Sequence, residues 1–157
     1  MTGPLNYGRE RGVTLIEVMV AVFITAIGLL GAAALQLNAL KYTDSARTTS
    51  QATFIAYDIL DRIRANADST TLNSYVMTGI ARAPTSPSTI LEHDQADFAT
   101  NVGNLNGGEG SIAVDGTTVT VTITWSESRA NKAAGGGDSG EQGQIQIASK
   151  VAVPAGE

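Results

Sequence analysis

Residues 11–40 read RGVTLIEVMVAVFITAIGLLGAAALQLNAL. A basic residue and a glycine lead, one glutamate follows at position 17, and from Val18 to Leu40 there is no charged side chain. Those 23 residues rise about 35 Å as a helix, enough to cross the roughly 30 Å hydrocarbon core of a bilayer. The stretch predicts a membrane-spanning helix. Glu17 is the exception in it, because an ionised carboxylate at the edge of an apolar run is costly unless it finds a partner. That makes Glu17 a candidate functional residue; the plainer alternative is an anchor whose acid reaches water at the interface.

Working outward, Arg9 and Arg11 precede the run and no basic residue follows until Lys41. The bias places the N-terminus in the cytoplasm and everything beyond about Leu40 outside. A conventional cleaved signal competes with this reading, since Ala32, Ala33 and Ala34 offer a small-residue site. Against it stand Glu17 inside the early apolar region and a run longer than the usual h-region.

After Leu40 the pattern changes from wholly apolar to amphipathic. Ala52, Ile55, Ala56, Ile59, Leu60 and Ile63 recur at three- and four-residue spacing, with Asp58, Asp61, Arg62 and Arg64 largely opposite. No proline interrupts residues 13–66, so one continuous helix is expected. Gly28 and Gly31 are its expected weak points, or else small residues for close helix packing. Residues 67–88 form a connector in which Pro84 and Pro87 exclude regular helix, tacked down by Tyr75, Val76 and Ile80. A short helix is expected over 92–105, with Phe98, Val102 and Leu105 on one face and Gly107 and Gly108 ending it.

The C-terminal third reads as β. Ile112 and Val114 alternate, Asp115-Gly116 supplies a hairpin turn, and Val119, Val121, Ile123 and Trp125 alternate with threonines. A third strand over 144–153 places Ile145, Ile147, Val151 and Val153 on one side, after a loop over 127–143 that is glycine-rich at 135–140. The apolar face of this three- or four-stranded antiparallel sheet needs a lid, and the 52–63 stripe is the only apolar surface large enough. A helix-on-sheet α+β domain follows.

Composition narrows the function classes. The chain has 157 residues, net charge −5 and no cysteine. Residues 1–12 carry net +1 (Arg9 and Arg11 against Glu10), so the remainder is at −6. No basic patch suggests nucleic-acid binding, and disulfide stapling is excluded. His93 is the only histidine, which leaves no material for a metal site or a Cys/His relay and reads as a solvent-facing residue. The pairs Asp58 with Asp61 and Asp94 with Asp97 read as solvated faces pairing with Arg62 or Arg64. The glycine-rich loop lacks the lysine and following helix of a phosphate loop. No catalytic constellation, cofactor site or metal site is expected.

The stretch Gly12, Val13-Thr14-Leu15-Ile16-Glu17 and the apolar run after it resemble the class III signal of type IV pilins and pseudopilins. Three features coincide there: a basic leader ending in glycine, glutamate as the fifth mature residue, and a charge-free apolar helix. Further on, Ser50-Gln51-Ala52-Thr53, Ala56-Tyr57-Asp58-Ile59-Leu60-Asp61-Arg62 and Arg64-Ala65-Asn66, with the strand ending at Trp125-Ser126, look like PilV-type minor pilins, the type IV pilus modification proteins. The resemblance implies a type IV pilin fold, with a leader at 1–12, a membrane and filament-core segment at 13–40 and an external domain at 41–157. It implies cleavage by a prepilin peptidase after Gly12, N-methylation of Val13, and Glu17 as the assembly carboxylate. Ala56, Tyr57, Asp58, Leu60, Arg62 and Arg64 carry the family signature of the helix. Implied partners are other minor and major pilins, the peptidase and an inner-membrane assembly platform, with no nucleic acid.

The chain departs from the family pattern at three points. The family most often has phenylalanine where Val13 stands, and major pilins usually have a proline at the position of Ala34 and a C-terminal disulfide loop, both lacking here. The lack of the proline and of the disulfide loop favours a minor component over the main filament subunit, and the resemblance implies that such a component initiates or caps the pilus and supports adhesion or twitching motility. The alternatives are a minor pseudopilin of type II secretion and, in a different class, an uncleaved membrane-anchored binding module or enzyme.

Overall fold

A computed structural model describes residues 12–127 and 142–152. The basic leader residues, the glycine-rich 135–140 stretch and Val153 lie outside the described residues. The contacts divide the chain into two compact units, one ending at Asn38 and the other starting at Ala39.

Helix α1 spans Leu15–Asn66, 52 residues. It is uninterrupted at Gly28 and Gly31, so neither glycine breaks it in this state. The segment from Thr43 to Thr53 is rich in Ser and Thr, residues that compete with helix by bonding the backbone. Here that competition is absorbed within the helix. Thr43, Thr48, Thr49, Ser50 and Thr53 each donate a hydroxyl to the carbonyl four residues back, at 2.7–3.1 Å.

Ala52, Ala56, Ile59, Leu60 and Ile63 of α1 are buried in one cluster with Ile112, Val119, Val121, Ile123 and Trp125 of the sheet. The expected lid is the observed lid. Each buried Ile or Leu contributes about 1.5–3 kcal/mol relative to exposure. The result is an α+β arrangement, a long N-terminal helix followed by an antiparallel sheet, consistent with a type IV pilin fold.

The connector differs from expectation in detail. It contains two 3₁₀ turns, Leu72–Tyr75 and Ile80–Arg82. Tyr75 is buried as expected and Ile80 packs against the core, but Val76 is exposed, while Leu72 and Met77 are buried instead. The geometry explains the exchange. Positions i and i+3 of a 3₁₀ turn share a face, which turns Leu72 and Tyr75 inward together. Met77 then pairs with Ile112, donating its N–H to Ile112 O at 2.9 Å and accepting from Ile112 N at 2.7 Å.

Helix α2 runs Ile90–Gly103, two residues earlier at each end than expected. Thr89 is its N-cap: its hydroxyl accepts from Glu92 N at 3.2 Å, and the Glu92 carboxylate accepts from Thr89 N at 3.2 Å. This capping box fixes the start. Hydrogen bonds from the Ser88 N–H and hydroxyl, and then that from Thr89 N, hold the Glu92 carboxyl below its usual pKa. Phe98 and Val102 are buried as expected, and Leu105 is buried from the turn that follows.

The sheet has three strands in the order β1-β2-β3, namely Glu109–Asp115, Thr118–Ser126 and Gln142–Lys150, all antiparallel. Strand β3 starts and ends earlier than the expected 144–153. Asp115 pairs with Thr118, so the hairpin turn is Gly116-Thr117. Gly116 alone takes positive φ there, +58°, as a II′-type turn requires. On β2 the buried and half-buried residues alternate as the Val/Ile/Trp and Thr pattern demands.

Gly143 faces Trp125 across β2 and β3. The indole lies so close that a Cβ on Gly143 would stand 2.2 Å from Trp125 Cε2. Gly143→Ala is therefore expected to lower stability by about 1–3 kcal/mol, since a planar ring in a packed layer cannot yield cheaply. Gly79→Ala, where nothing lies within 4 Å of a new Cβ, serves as the control. Urea titration followed by Trp125 fluorescence checks it; equal midpoints for both variants would show that the indole moves aside freely.

Candidate functional site

Two sets of residues are candidates, one in each unit. The first is the start of α1. Thr14 precedes the helix and receives its first orphan donors: Glu17 N donates to Thr14 O at 3.1 Å and Val18 N to the same oxygen at 3.3 Å. Glu17 N also lies 3.4 Å from Thr14 Oγ1. Thr14-Leu15-Ile16-Glu17 therefore has the spacing of a capping sequence, with Glu17 in the first helical turn. The positive end of the helix dipole favours a carboxylate there. The T-x-x-E spacing places Glu17 in the first turn, where Thr14 accepts its backbone N–H, a local feature not among those expected above.

Around and beyond Glu17 the helix is apolar on every side. Leu15, Phe23 and Leu30 are 81%, 67% and 72% exposed, and no residue of α1 before Ala52 is buried. The most apolar 18-residue window has mean hydropathy 2.5, and by length and composition the helix is able to cross a membrane. Gly12 and Val13 lie just before the helix and are exposed.

The second set lies where α1, α2 and the connector join. Asp58, Arg62 and Asn66 follow one another at four-residue spacing along α1 and form a polar ridge. Arg62 Nε donates to Asp58 Oδ2 at 2.9 Å, and Nη1 donates to Asp97 Oδ2 at 2.9 Å and Asp94 Oδ1 at 3.4 Å. Asp97 foremost, with Asp58 and Asp94, raises the Arg62 pKa above its usual value against the opposing effect of burial. Asp94 is not on a solvated face as expected: it is 4% exposed. Its carboxylate accepts from Tyr75 Oη at 2.8 Å and Asn66 Nδ2 at 3.0 Å as well as from Arg62. The adjacent Gln95, also buried, donates from Nε2 to Ser74 O at 3.0 Å.

Of the signature residues, Ala56 and Leu60 are core, Tyr57 is half exposed, Asp58 and Arg62 belong to the polar ridge, and Arg64 pairs with Asp61 and Ser149. The sign of Asp94 was available in the spacing, since Asp94, Phe98 and Val102 fall on one helix face. His93 is exposed, as expected. No group of His, Cys, Asp and Glu able to hold a metal occurs among the described residues.

Asp68 closes the connector's first turn by accepting from Thr70 and Thr71, through both N–H and hydroxyl groups, at 2.7–3.0 Å. These bonds, the Thr70 hydroxyl first, lower its pKa to about 2.

The family model described as Prokaryotic N-terminal methylation motif matches residues 7–33. No curated protein and no solved structure shows a match. The motif is the class III signal of type IV pilins, and it supports a type IV pilin-like or pseudopilin protein: structural in kind, anchored in the membrane by a single apolar helix, processed by prepilin peptidase and assembled with other pilins.

Burial, and then the hydrogen bond to Asp94, push the Tyr75 hydroxyl pKa well above its usual 10.0. The folded state keeps Tyr75 neutral at a pH where the unfolded chain ionises it, so this contribution is intact below pH 10 and is lost as pH rises above it. Tyr75→Phe is expected to flatten the decline of stability above pH 10 relative to the parent chain. Denaturation midpoints at a series of alkaline pH values test this; parallel curves would show that Tyr75 ionises freely in the fold.

Proposed function

We propose that this chain is a minor pilin of the PilV type, which joins other minor and major pilins to initiate or cap a type IV pilus and so supports adhesion and twitching motility. The observation that carries the assembly reading is the start of α1: a methylation motif, a capped first turn bearing Glu17, and an apolar helix that is left exposed among the described residues. The minor role rests on the lack of cysteine and on alanine at position 34.

In this reading prepilin peptidase cuts between Gly12 and Val13 and the new Val13 amine is methylated. Residues 13–40 first hold the protein in the inner membrane as a single pass, with residues 41–157 in the periplasm. The assembly platform then moves the subunit into the pilus, where the apolar helix packs with others. A carboxylate buried in that packing is costly unless paired, and the amine released by cleavage is a nearby opposite charge. Cleavage creates the partner, and the pair sets register between subunits more than it adds stability. A type II secretion pseudopilin shares the same motif and is the second reading.

Glu17→Ala is expected to leave membrane insertion and cleavage intact and to abolish incorporation with other pilins. Mass spectrometry of the mature N-terminus reads the first part, and co-purification with co-expressed minor pilins the second. Normal incorporation of the variant removes the assembly role of Glu17, and a mature chain beginning at Met1 removes the pilin reading itself. Co-purification with secretion pseudopilins in place of pilins assigns the chain to the other machine.

A further inference from the structure

The apolar run is longer than a bilayer requires. From Val18 to Leu40 it rises about 35 Å, roughly 5 Å more than the hydrocarbon core. About three residues of slack remain, so apolar character alone leaves the depth of the helix open.

Lys41 and Tyr42 follow the run directly. Tyr42 is 72% exposed, and neither side chain has a hydrogen bond or an ion pair among the described residues. A phenol with an apolar body and a polar tip, and an ammonium on a flexible apolar stem, are side chains suited to a membrane–water boundary. One turn further along α1, Ser45 Oγ donates to Glu127 Oε1 at 2.9 Å. Asp44, Asn106, Ser126 and Glu127 line a small recess there. This end of the domain is polar and carries two carboxylates, so it opposes any sinking into the bilayer. It does not oppose withdrawal from the bilayer.

We propose that Lys41 and Tyr42 bind the lipid headgroup layer next to the domain, the ammonium at the phosphates and the phenol at the boundary below them, and that this pair fixes the depth of α1. The inference rests on the membrane anchor and not on the role in a pilus. Counted back from Lys41, about 20 residues cross the hydrocarbon core, which then ends near Ala21. The slack therefore lies at the far end. Val18 and Glu17 stand about 5–6 Å outside the core, among the opposite headgroups, where the Glu17 carboxylate reaches water. Gly12 and Val13 stand further out still, clear of the bilayer interior. A helix without this anchor is free to withdraw toward the domain by about three residues, which draws Val18 into the hydrocarbon and leaves Glu17 at its edge.

The chain has no cysteine, so single introduced cysteines report depth in the full-length chain. The chain is expressed in a host without prepilin peptidase and labelled with a membrane-impermeant maleimide, in spheroplasts and in inverted vesicles. Val18→Cys is expected to label from the face opposite the domain, and Leu40→Cys to stay protected from the domain's face. With Lys41→Gln and Tyr42→Ser together, Val18→Cys labelling is expected to fall about fivefold and Leu40→Cys labelling to rise. Either substitution alone shifts the pattern part of the way, and Lys41→Arg with Tyr42→Trp keeps the parent pattern. Ser50→Cys, exposed on the domain half of α1, labels equally in every chain and reports insertion. An unchanged pattern in the double variant overturns the proposal. So does protection of Val18→Cys in the parent chain, which would show that a tilt of about 30° takes up the slack instead.

Discussion

A helix surface that is apolar on every side has to be taken from water by something, and between Leu15 and Leu40 nothing among the described residues does it. Leu15, Ile16, Phe23, Ile24, Leu29 and Leu30 are all at least 64% exposed. At about 25 cal/mol per Å² of apolar surface, such a stretch represents a demand for an external apolar phase that no internal rearrangement of a domain this size can meet. A bilayer satisfies it, and so does a bundle of like helices. The second half of α1 meets the same constraint by another route. Its alanines, Ala52 and Ala56, are fully buried, and Ile59, Leu60 and Ile63 share one core cluster with Val119, Val121 and Ile123 of the sheet.

That packing is non-directional, and the polar cluster at Asp94 adds direction to it. A buried carboxylate is tolerable only when its lone pairs are matched. Tyr75, Asn66 and Arg62 do this from the connector and from α1. Replacing the cluster by apolar groups of equal volume need not cost stability, but it would remove a directional contact that disfavours a slipped seating of α2 on α1. Correct seating matters because Phe98 of α2 lies against Gly110 of β1, where even a Cβ would come within 2.9 Å of the ring.

The long elements were legible because their periodicity is strong. The apolar run, the Ala52 to Ile63 stripe and the alternation from Val119 to Trp125 each repeat one period several times, and each falls where it was expected. The connector was legible only in part: Tyr75 and Ile80 fall as expected, but Leu72 and Met77 are chosen by one 3₁₀ turn and one isolated bridge, neither of which has a period to read. Asp94 was misread for a different reason. Its charge argued for solvent, while its spacing to Phe98 and Val102 argued for the interior, and the spacing prevailed because α1 and the connector bring three donors to it.

Glu17 shows how a local interaction changes the meaning of a motif. Taken alone, a carboxylate beside an apolar run is a penalty awaiting a partner. With Thr14 bonding the first turn, the same carboxylate sits at the positive end of a helix dipole, where it is favoured by roughly 0.3–1 kcal/mol. That offsets only a small part of the cost of burying it, so in the uncut chain the carboxylate is tolerable at a membrane edge, where it reaches water. Under the proposed processing, cleavage at Gly12 adds a full positive charge one turn away, at a helix end that already disfavours one. Glu17 then offsets the amine as much as the amine offsets Glu17. A neutral residue at position 17 would leave that amine opposed by the dipole when the helix enters a low-dielectric core, so the requirement for an acid there follows from the amine and the helix direction together.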